Sequence, residues 1–270
     1  MSHLRSFDTE QNFNESQRLI DKYFPHFSKK SLTFRLSVFQ VIYFALSILL
    51  GEGRSEPSSC SLLFLGAKFT PFIVLKYQYW RLITPIFLHG SIGHIFFNLL
   101  FQFRFGFSIE DYYGVKKYAA IYILSGIGGN LLSSTENPFS LSVGASTSIY
   151  GLLAVLACYY AYNWHTLGVG RMFNLYVYLG FVGVNFIISW LEVTIDLYGH
   201  LGGFIVGGLM GLILIPREEF SRRWNYILAA SAIILASFFL MFFIRLASLD
   251  MEYCGESACS FCDGLNPLNN

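Results

Sequence analysis

Residues 199–216 read GHLGGFIVGGLMGLILIP and carry much of the information about the fold. The stretch is almost entirely apolar, and its length approaches the roughly 20 residues that a helix needs to cross a bilayer. A glycine recurs at every fourth position, which lets a neighbouring backbone come close to one face of the helix. One histidine, His200, interrupts the apolar run. A polar side chain in a membrane helix is costly and usually faces a bundle interior or a water-filled cavity.

The composition of the whole chain is that of a membrane protein. Of its 270 residues, 54% are hydrophobic and 13% are charged, whereas soluble chains carry about 25% charged residues. The net charge of +1 argues against a basic nucleic-acid-binding protein and an acidic disordered chain, and 18% aromatic residues exclude disorder. We therefore expect an all-α polytopic helical bundle whose surroundings are the lipid bilayer, with no nucleic-acid partner.

Seven apolar segments are predicted to cross the membrane. They cover residues 34–50, 92–108, 116–133, 143–161, 172–191, 199–215 and 225–244. The polar segment before them lacks the apolar core of a cleavable signal peptide, so we expect the first span to act as an uncleaved anchor. The connection at 51–91 is the only long one, and loops of that length are usually functional.

Basic residues are distributed unevenly between alternate connections. Thirteen of the 18 lie on the side of the N-terminus, and the other five are Arg54, Lys68, Lys76, Arg81 and Arg245. Because cytoplasmic connections carry the excess of Lys and Arg, this predicts a cytoplasmic N-terminus and an extracytoplasmic C-terminus. The even-numbered spans then all begin at the outer face of the membrane.

Four polar residues lie near those outer ends and form a candidate site. His94 and Asn98 are four residues apart, so they share one helix face, while Ser146 and His200 open the fourth and sixth spans. A serine hydroxyl becomes a nucleophile when a neutral imidazole takes its proton. Amide and imidazole N–H groups, together with the free backbone N–H groups of a first helical turn, can stabilise the oxyanion that develops. The set therefore indicates hydrolytic chemistry.

Small residues predict how the fourth and sixth spans approach each other. Gly199, Gly203, Gly207 and Gly211 form a ridge on one span, and Gly144, Ser148 and Gly151 are small residues on the other. Packing these faces would bring Ser146 and His200 within hydrogen-bonding reach. Tyr150, one turn from Ser146, would then be placed to hold the imidazole.

Simpler interpretations exist for each residue taken alone. A membrane serine usually bonds a carbonyl of its own helix, and a histidine near a helix end is more often a packing residue. The shared side and depth of the four residues favour catalysis. Asp196, four residues before His200, could complete a catalytic triad, but its place in a short loop favours a role as a helix cap.

The successive motifs resemble the signatures of rhomboid intramembrane serine proteases. The motifs are Trp80-Arg81, His89 with His94-Ile95-Phe96-Phe97-Asn98, Gly144-Ala145-Ser146 and His200-Leu201-Gly202-Gly203. The resemblance runs from about Tyr79 to Pro216. It implies a six-helix core, and the seventh helix after that core resembles the 6+1 arrangement of secretory-pathway members.

The resemblance also implies roles for individual residues. Ser146 would be the nucleophile and His200 the general base, and His94 and Asn98 would form the oxyanion hole with the Ser146 backbone. The supporting positions would be Tyr150 beneath His200, Gly144 and Gly203 at the helix crossing, His89, and Trp80 with Arg81 in a loop half-buried sideways in the bilayer. Thr147 departs from the family, which often has glycine there, so it is expected to tune the cleft. Family substrates are transmembrane helices, and no cofactor or metal is required.

The resulting domain organisation has four parts. They are a cytoplasmic tail at 1–33, a protease core at 34–215 that includes the long outer loop 51–91, a loop and seventh helix at 216–244, and an extracytoplasmic tail at 245–270. The expected location is the secretory pathway or the plasma membrane. The expected activity is cleavage of single-span membrane proteins that releases their extracytoplasmic domains, with the substrate and the oligomeric state left open.

Two competing functions and one question about the cysteines stay open at this point. A silent rhomboid-like protein that binds client helices, or a small transporter, would use the same polar residues. Cys158 is interpreted as packing. The other cysteines, predicted to lie outside the cytosol, suggest disulfides with three possible pairings, and a metal site is a weaker alternative because only three ligands cluster. These cysteines are Cys60, Cys254, Cys259 and Cys262.

Overall fold

The structure is a computed structural model that describes residues 20–51, 55–192, 195–217 and 221–251. Over these ranges the chain is all-α, as predicted, and each predicted apolar segment forms one long helix. The helices are α1 Leu32–Leu49, α2 Ser59–Phe64, α3 Thr70–Leu75, α4 Ile92–Tyr113, α5 Val115–Glu136, α6 Ser146–Tyr162, α7 Arg171–Leu191, α8 Leu197–Leu214 and α9 Arg222–Ala247. Two 3₁₀ turns, Tyr79–Leu82 and Thr84–Phe87, lie between α3 and α4.

Five of the seven predicted spans are long and apolar enough to cross a membrane, namely α1, α4, α7, α8 and α9. Among the described helices, α5 and α6 fall short of that measure. Helix α6 has 17 residues, and α5 carries polar residues such as Asn130 and Ser133 among its glycines. More than half of the residues of each are buried, so their surfaces face protein and need not be apolar.

Helix α8 lies at the centre of the bundle, where glycines bring it against α5 and α6. A Cβ added at Gly203 would overlap the backbone carbonyl of Thr147 on α6, and one at Gly207 would overlap the backbone of Gly151. On the other face, a Cβ at Gly202 would meet the backbone of α5. The predicted contact between small residues of the fourth and sixth segments is confirmed.

Side chains of other helices satisfy the ends of two helices. The Glu110 carboxylate on α4 accepts the backbone N–H groups of Leu32 and Thr33, at 2.7 and 2.8 Å, in the first turn of α1. The Lys117 ammonium on α5 donates to the Leu214 carbonyl at the end of α8, at 3.0 Å. Because terminal N–H and C=O groups lack partners within their own helix, these contacts fix the bundle as well as the helices.

One buried arginine joins separate parts of the connection that precedes α4. The buried Arg81 guanidinium donates from Nη1 to the carbonyls of Leu63 and Ala67, at 2.7 and 2.9 Å. Trp80 beside it is 52% exposed. These hydrogen bonds join Arg81 to the end of α2 and the residues just after it.

Helix α9 packs against α8 and α5 and shares the main core. Phe238, Phe242 and Leu246 are buried in the same hydrophobic cluster as residues of α5, α6 and α8. An ion pair joins Arg245 to Glu136 at the end of α5, with nitrogen and oxygen 2.8 Å apart. The helix is therefore an integrated part of the bundle.

The structure addresses two of the five cysteines. Cys60 is disulfide-bonded, which agrees with the prediction that it takes part in a disulfide. Cys158 is free and buried in α6, with its sulfur 3.3 Å from the Gly208 carbonyl, as expected for a packing residue. Cys254, Cys259 and Cys262 lie outside the described residues. Whether these three cysteines form disulfides or a metal site therefore stays a prediction.

Candidate active site

The candidate site lies where the first turns of α6 and α8 meet. Ser146 is the first residue of α6 and is half-buried, while His200 is buried in the first turn of α8. The His200 ring stacks on Tyr150, with ring centroids 4.0 Å apart and planes inclined by 13°. Tyr150 is one helical turn from Ser146, so the histidine and the serine are neighbours, and Tyr150 lies against His200 as predicted.

Ser146 and His200 do not form a hydrogen bond with each other, although both residues lie in described parts of the chain. Catalytic hydrogen bonds are often long when no substrate is bound and shorten in the reacting complex. The sequence predicts that these side chains come within hydrogen-bonding reach, and the structure brings their helices together without making the bond.

A serine on α7 is the hydrogen-bonding partner of His200. The Ser189 Oγ lies 2.8 Å from the His200 Nδ1, 2.8 Å from the Asn185 carbonyl and 3.1 Å from the Tyr150 hydroxyl. Sequence reasoning missed Ser189. The available signal was weak, because the segment also carries Asn185 and Tyr178, and a membrane serine usually bonds only its own helix.

His94 faces the loop that leads into Ser146. Its Nδ1 accepts the Gly90 N–H at 3.4 Å, so a neutral His94 carries its proton on Nε2. A Cβ added at Gly144 would lie 2.8 Å from that Nε2 and 3.5 Å from the Ser146 hydroxyl. Gly144 has φ +133°, which side chains rarely adopt. The absence of a side chain at Gly144 therefore leaves room for the His94 imidazole beside the Ser146 hydroxyl.

Asn98 lies one turn further along α4 and is buried. Its Nδ2 donates one hydrogen to the His94 carbonyl at 2.8 Å. The amide carries a second hydrogen, which can serve another acceptor. The two residues thus share one helix face, as their spacing predicts, and their role at an oxyanion stays a prediction.

His89 supports the segment in front of Ser146. The Ala145 N–H donates to its Nε2 at 3.5 Å, and its ring packs edge-on against His94 with centroids 5.3 Å apart. The side chain is fully buried. Burial, reinforced by His94, lowers the pKa of His89 to about 3. It is therefore neutral at physiological pH and serves as a fixed acceptor.

We expect His89 to make the protein sensitive to acid. Its pKa is about 6.5 in an unfolded chain and about 3 in the folded protein, so the unfolded state binds the extra proton first. Stability is then complete above pH 6.5 and falls as the pH drops, by up to about 1.4 kcal/mol per pH unit from this group. Thermal unfolding in detergent micelles measures the slope. A His89→Asn variant with the wild-type slope between pH 6.5 and 4.5 would contradict the expectation.

Asp196 caps α8, and its carboxylate makes its hydrogen bonds away from the imidazole. Its Oδ1 accepts the Gly199 N–H at 2.9 Å, and its Oδ2 accepts the hydroxyls of Ser133, at 2.6 Å, and Ser142. The predicted role as a helix cap is confirmed. The alternative of a Ser-His-Asp triad receives no support, because the Nδ1 of His200 is bonded to Ser189.

Lys68 links Asp196 to the 51–91 connection. Its backbone pairs with Ser142 in both directions, at 2.9 and 3.0 Å, and its buried ammonium donates to the Asn137 carbonyl at 3.1 Å. Burial lowers the pKa of Lys68 to about 8, although the Asp196 charge opposes this. Burial alone would raise the pKa of Asp196, but Lys68 and the three hydrogen bonds to Asp196 hold it below its usual value. We call these four residues, Lys68, Ser133, Ser142 and Asp196, the outer clamp.

Thr147, the departure from the family pattern, points into the bundle. Its side chain packs between Gly129 of α5 and Gly199 of α8, where added Cβ atoms would lie 2.9 and 3.1 Å from it. It fills space that those glycines leave between the helices. This placement favours a role in helix packing over the predicted role in tuning the cleft.

The chain is similar to a group of named proteases. The family described as Rhomboid domain matches residues 76–217. Rhomboid-like protease 1 of Toxoplasma gondii is 37% identical over 221 residues, which cover 80% of this chain and 74% of the relative. Rhomboid-like protease 3 of the same organism is 34% identical over 227 residues, 82% and 85% of the two chains. RHOMBOID-like protein 1 of Arabidopsis thaliana is 34% identical over 172 residues, 63% and 44% of the two chains.

Proposed function

Because this chain belongs to the rhomboid family of intramembrane proteases, we propose that Ser146 is its nucleophile and His200 its general base. The chain is homologous to named rhomboid-like proteases, which are serine intramembrane proteases. The observation that carries the assignment is the stacking of His200 on Tyr150, at 4.0 Å and one turn from Ser146. A base held at that position faces the end of α6 where the serine lies.

The reaction we propose is acyl transfer to Ser146. Its Oγ attacks the scissile carbonyl carbon while its proton passes to the Nε2 of His200, since Nδ1 is bonded to Ser189. His200 then protonates the leaving amine as the peptide C–N bond breaks. A water molecule, deprotonated by His200, hydrolyses the resulting ester and restores the serine.

We propose that three donors stabilise the oxyanion. They are the Nε2–H of His94, the second amide hydrogen of Asn98 and the backbone N–H of Ser146. The position of the His94 Nε2 beside Gly144 and the Ser146 hydroxyl supports this assignment. Each such donor is worth roughly 3 kcal/mol in a water-poor site.

The proposed substrate is the transmembrane helix of a single-span membrane protein. A helix hides its carbonyls in internal hydrogen bonds, so the segment must unwind before Ser146 can reach one. Small residues ease this, since glycine costs a helix about 1 kcal/mol relative to alanine. With Ser146 at the outer end of α6, cleavage would release the extracytoplasmic domain of the substrate.

The proposed membrane arrangement follows the distribution of basic residues and the order of helices. We propose a cytoplasmic N-terminus, an extracytoplasmic C-terminus, and a core over 34–215 that α9 extends to the 6+1 form. The proposed tails are 1–33 and 245–270, and the proposed loop and seventh helix are 216–244. Helix α9 extends this last boundary, because it ends at Ala247 and Leu246 is buried in the core. The proposed location is the secretory pathway or the plasma membrane.

Reconstitution into liposomes with a transmembrane substrate tests the function. We expect cleavage by the wild type and none by Ser146→Ala or His200→Ala, because either change removes the nucleophile or its base. Ser148→Ala is the matched control on the same helix, since its hydroxyl bonds the Tyr122 carbonyl in the core.

Labelling of Ser146 by a fluorophosphonate is the second measurement. It should be lost in His200→Ala and retained in Ser148→Ala. Cleavage that survives in Ser146→Ala would overturn the proposal. A wild type that is folded but neither cleaves nor labels would favour a silent protein that binds client helices.

A further inference from the structure

Helix α7 buries few of its residues against the rest of the bundle. Of its 21 residues, two are buried, Tyr178 and Ser189, and both carry hydroxyl groups. The Tyr178 hydroxyl donates to the Leu153 carbonyl at 2.7 Å, and the Ser189 hydroxyl meets His200. Large apolar side chains such as Trp190 cover much of the rest of the helix surface. A buried serine contributes little to apolar packing, so we attribute the buried position of Ser189 to the hydrogen bonds of its hydroxyl oxygen.

One assignment of hydrogens makes all three contacts of Ser189 hydrogen bonds. A hydroxyl has one hydrogen and two lone pairs. Because the Asn185 carbonyl can only accept, Ser189 donates its hydrogen there, over 2.8 Å. Its oxygen is left to accept from the His200 Nδ1 at 2.8 Å and from the Tyr150 hydroxyl at 3.1 Å. This arrangement requires a hydrogen on Nδ1 of His200.

We propose that Ser189 is a positioning residue that holds His200 in the Nδ1–H tautomer. The proposal rests on the proposed function, in which the bare Nε2 takes the Ser146 proton. Tyr150 restricts tilting of the ring by stacking, and Ser189 restricts its rotation through one hydrogen bond. Together they leave His200 one orientation, with its basic nitrogen unblocked.

A neutral partner suits this location. A carboxylate beside Nδ1 would place a further charge in a buried site, and an ionised group away from water is costly unless it is paired. The nearest acid along the chain, Asp196, is already engaged by Ser133, Ser142 and Gly199. A serine hydroxyl orients the imidazole without that cost.

Three variants in the full-length reconstituted protein test the proposal. Ser189→Ala removes the oxygen, and Ser189→Thr retains it. Tyr178→Phe is the matched control, because it removes the other buried hydroxyl of α7 without affecting His200. We expect Ser189→Ala to lower kcat about tenfold at unchanged KM, the effect of one lost hydrogen bond. Ser189→Thr should restore kcat to near the wild-type value, and Tyr178→Phe should leave it close to that value.

Nitrogen-15 NMR of labelled histidine gives a readout that a purely structural role would not change. The His200 signals, assigned by comparison with His200→Gln, should show a protonated Nδ1 in the wild type, in Ser189→Thr and in Tyr178→Phe. Ser189→Ala should show a mixture of the two neutral tautomers. The spectrum does not depend on turnover, so it reports on Ser189 even if the wild type proves inactive and the proposed function fails.

Two results would overturn the proposal. One is a Ser189→Ala variant that keeps the wild-type kcat and a fully protonated Nδ1. The other is an equal loss of kcat in Ser189→Ala and Tyr178→Phe without a tautomer change, which would mean that Ser189 only anchors α7.

Discussion

Replacing Gly203 with alanine should abolish cleavage and destabilise the centre of the bundle. The added Cβ would overlap the carbonyl oxygen of Thr147, the residue after Ser146. Because the obstacle is backbone rather than the end of a flexible side chain, α6 and α8 must move apart. Such a shift separates Ser146 from His200, and a displacement of 1 Å can lower a rate about a hundredfold.

Gly208→Ala on the same helix is the control. Its added Cβ would make an ordinary contact, 3.5 Å from the Cβ of Ala154, and alanine favours a helix by about 1 kcal/mol over glycine. We expect this variant to be at least as stable as the wild type and fully active, and overpacking at Gly203 to cost about 1–3 kcal/mol or more. Thermal unfolding and substrate cleavage in the same detergent measure both effects. Equal behaviour of the two variants would show that the helix crossing tolerates a methyl group.

Replacing Asp196 with asparagine should weaken the outer clamp and lower activity about a hundredfold. Asparagine exchanges one carboxylate oxygen for an NH₂ group, so one of the donors from Ser133, Ser142 or Gly199 then faces another donor. The charge that opposes the buried Lys68 also disappears. Breaking a direct buried ion pair costs about 3–5 kcal/mol, and since these two residues form no direct pair, we expect about 2 kcal/mol.

The activity falls in the Asp196→Asn variant because the clamp joins both halves of the site. Ser142 lies four residues before Ser146, and Asp196 lies four residues before His200. Without the clamp, the loop that contains Ser142 and the first turn of α8 can shift independently of each other. Adding Lys68→Met to Asp196→Asn removes the buried ammonium charge that the lost carboxylate had opposed. The Lys68→Met/Asp196→Asn double variant should therefore regain part of the lost stability. A double variant less stable than Asp196→Asn would contradict this account.

The pH dependence of the clamp has a definite sign. The pKa of Asp196 is held below the value of about 3.9 expected in an unfolded chain, so its contribution is complete above about pH 4 and is lost only in stronger acid. Asp196 therefore stays ionised between pH 5 and 7. We expect the cleavage rate to depend on pH over that range in the same way in the wild type and in Asp196→Asn.

Sequence patterns predicted the features that depend on spacing along one helix. Apolar runs located the long helices, and small residues every four positions predicted the crossing of α6 and α8. The spacing of Tyr150 from Ser146 predicted the ring against His200. A helix repeats every 3.6 residues, so separations of three and four residues translate directly into shared faces.

Contacts between distant segments could not be predicted in this way. Ser189 reaches His200 only because α7 packs beside α8 at one rotation about its axis. Lys68 meets Ser142 across more than 70 residues of chain, and spacing along one helix carries no information about such a pair. Hydropathy predicted α5 and α6 as spans, and both fall short of the length or the hydropathy of a candidate span. Because most of their residues are buried among other helices, their surfaces need not be apolar.

Glu110 has a consequence for how the chain is assembled during synthesis. It supplies partners for the first backbone N–H groups of α1, yet the ribosome adds it almost 80 residues after them. Until α4 emerges, α1 enters the membrane with donors that only water or lipid headgroups can serve. The N-terminal end of α1 therefore gains its final hydrogen-bond partner only when α4 arrives.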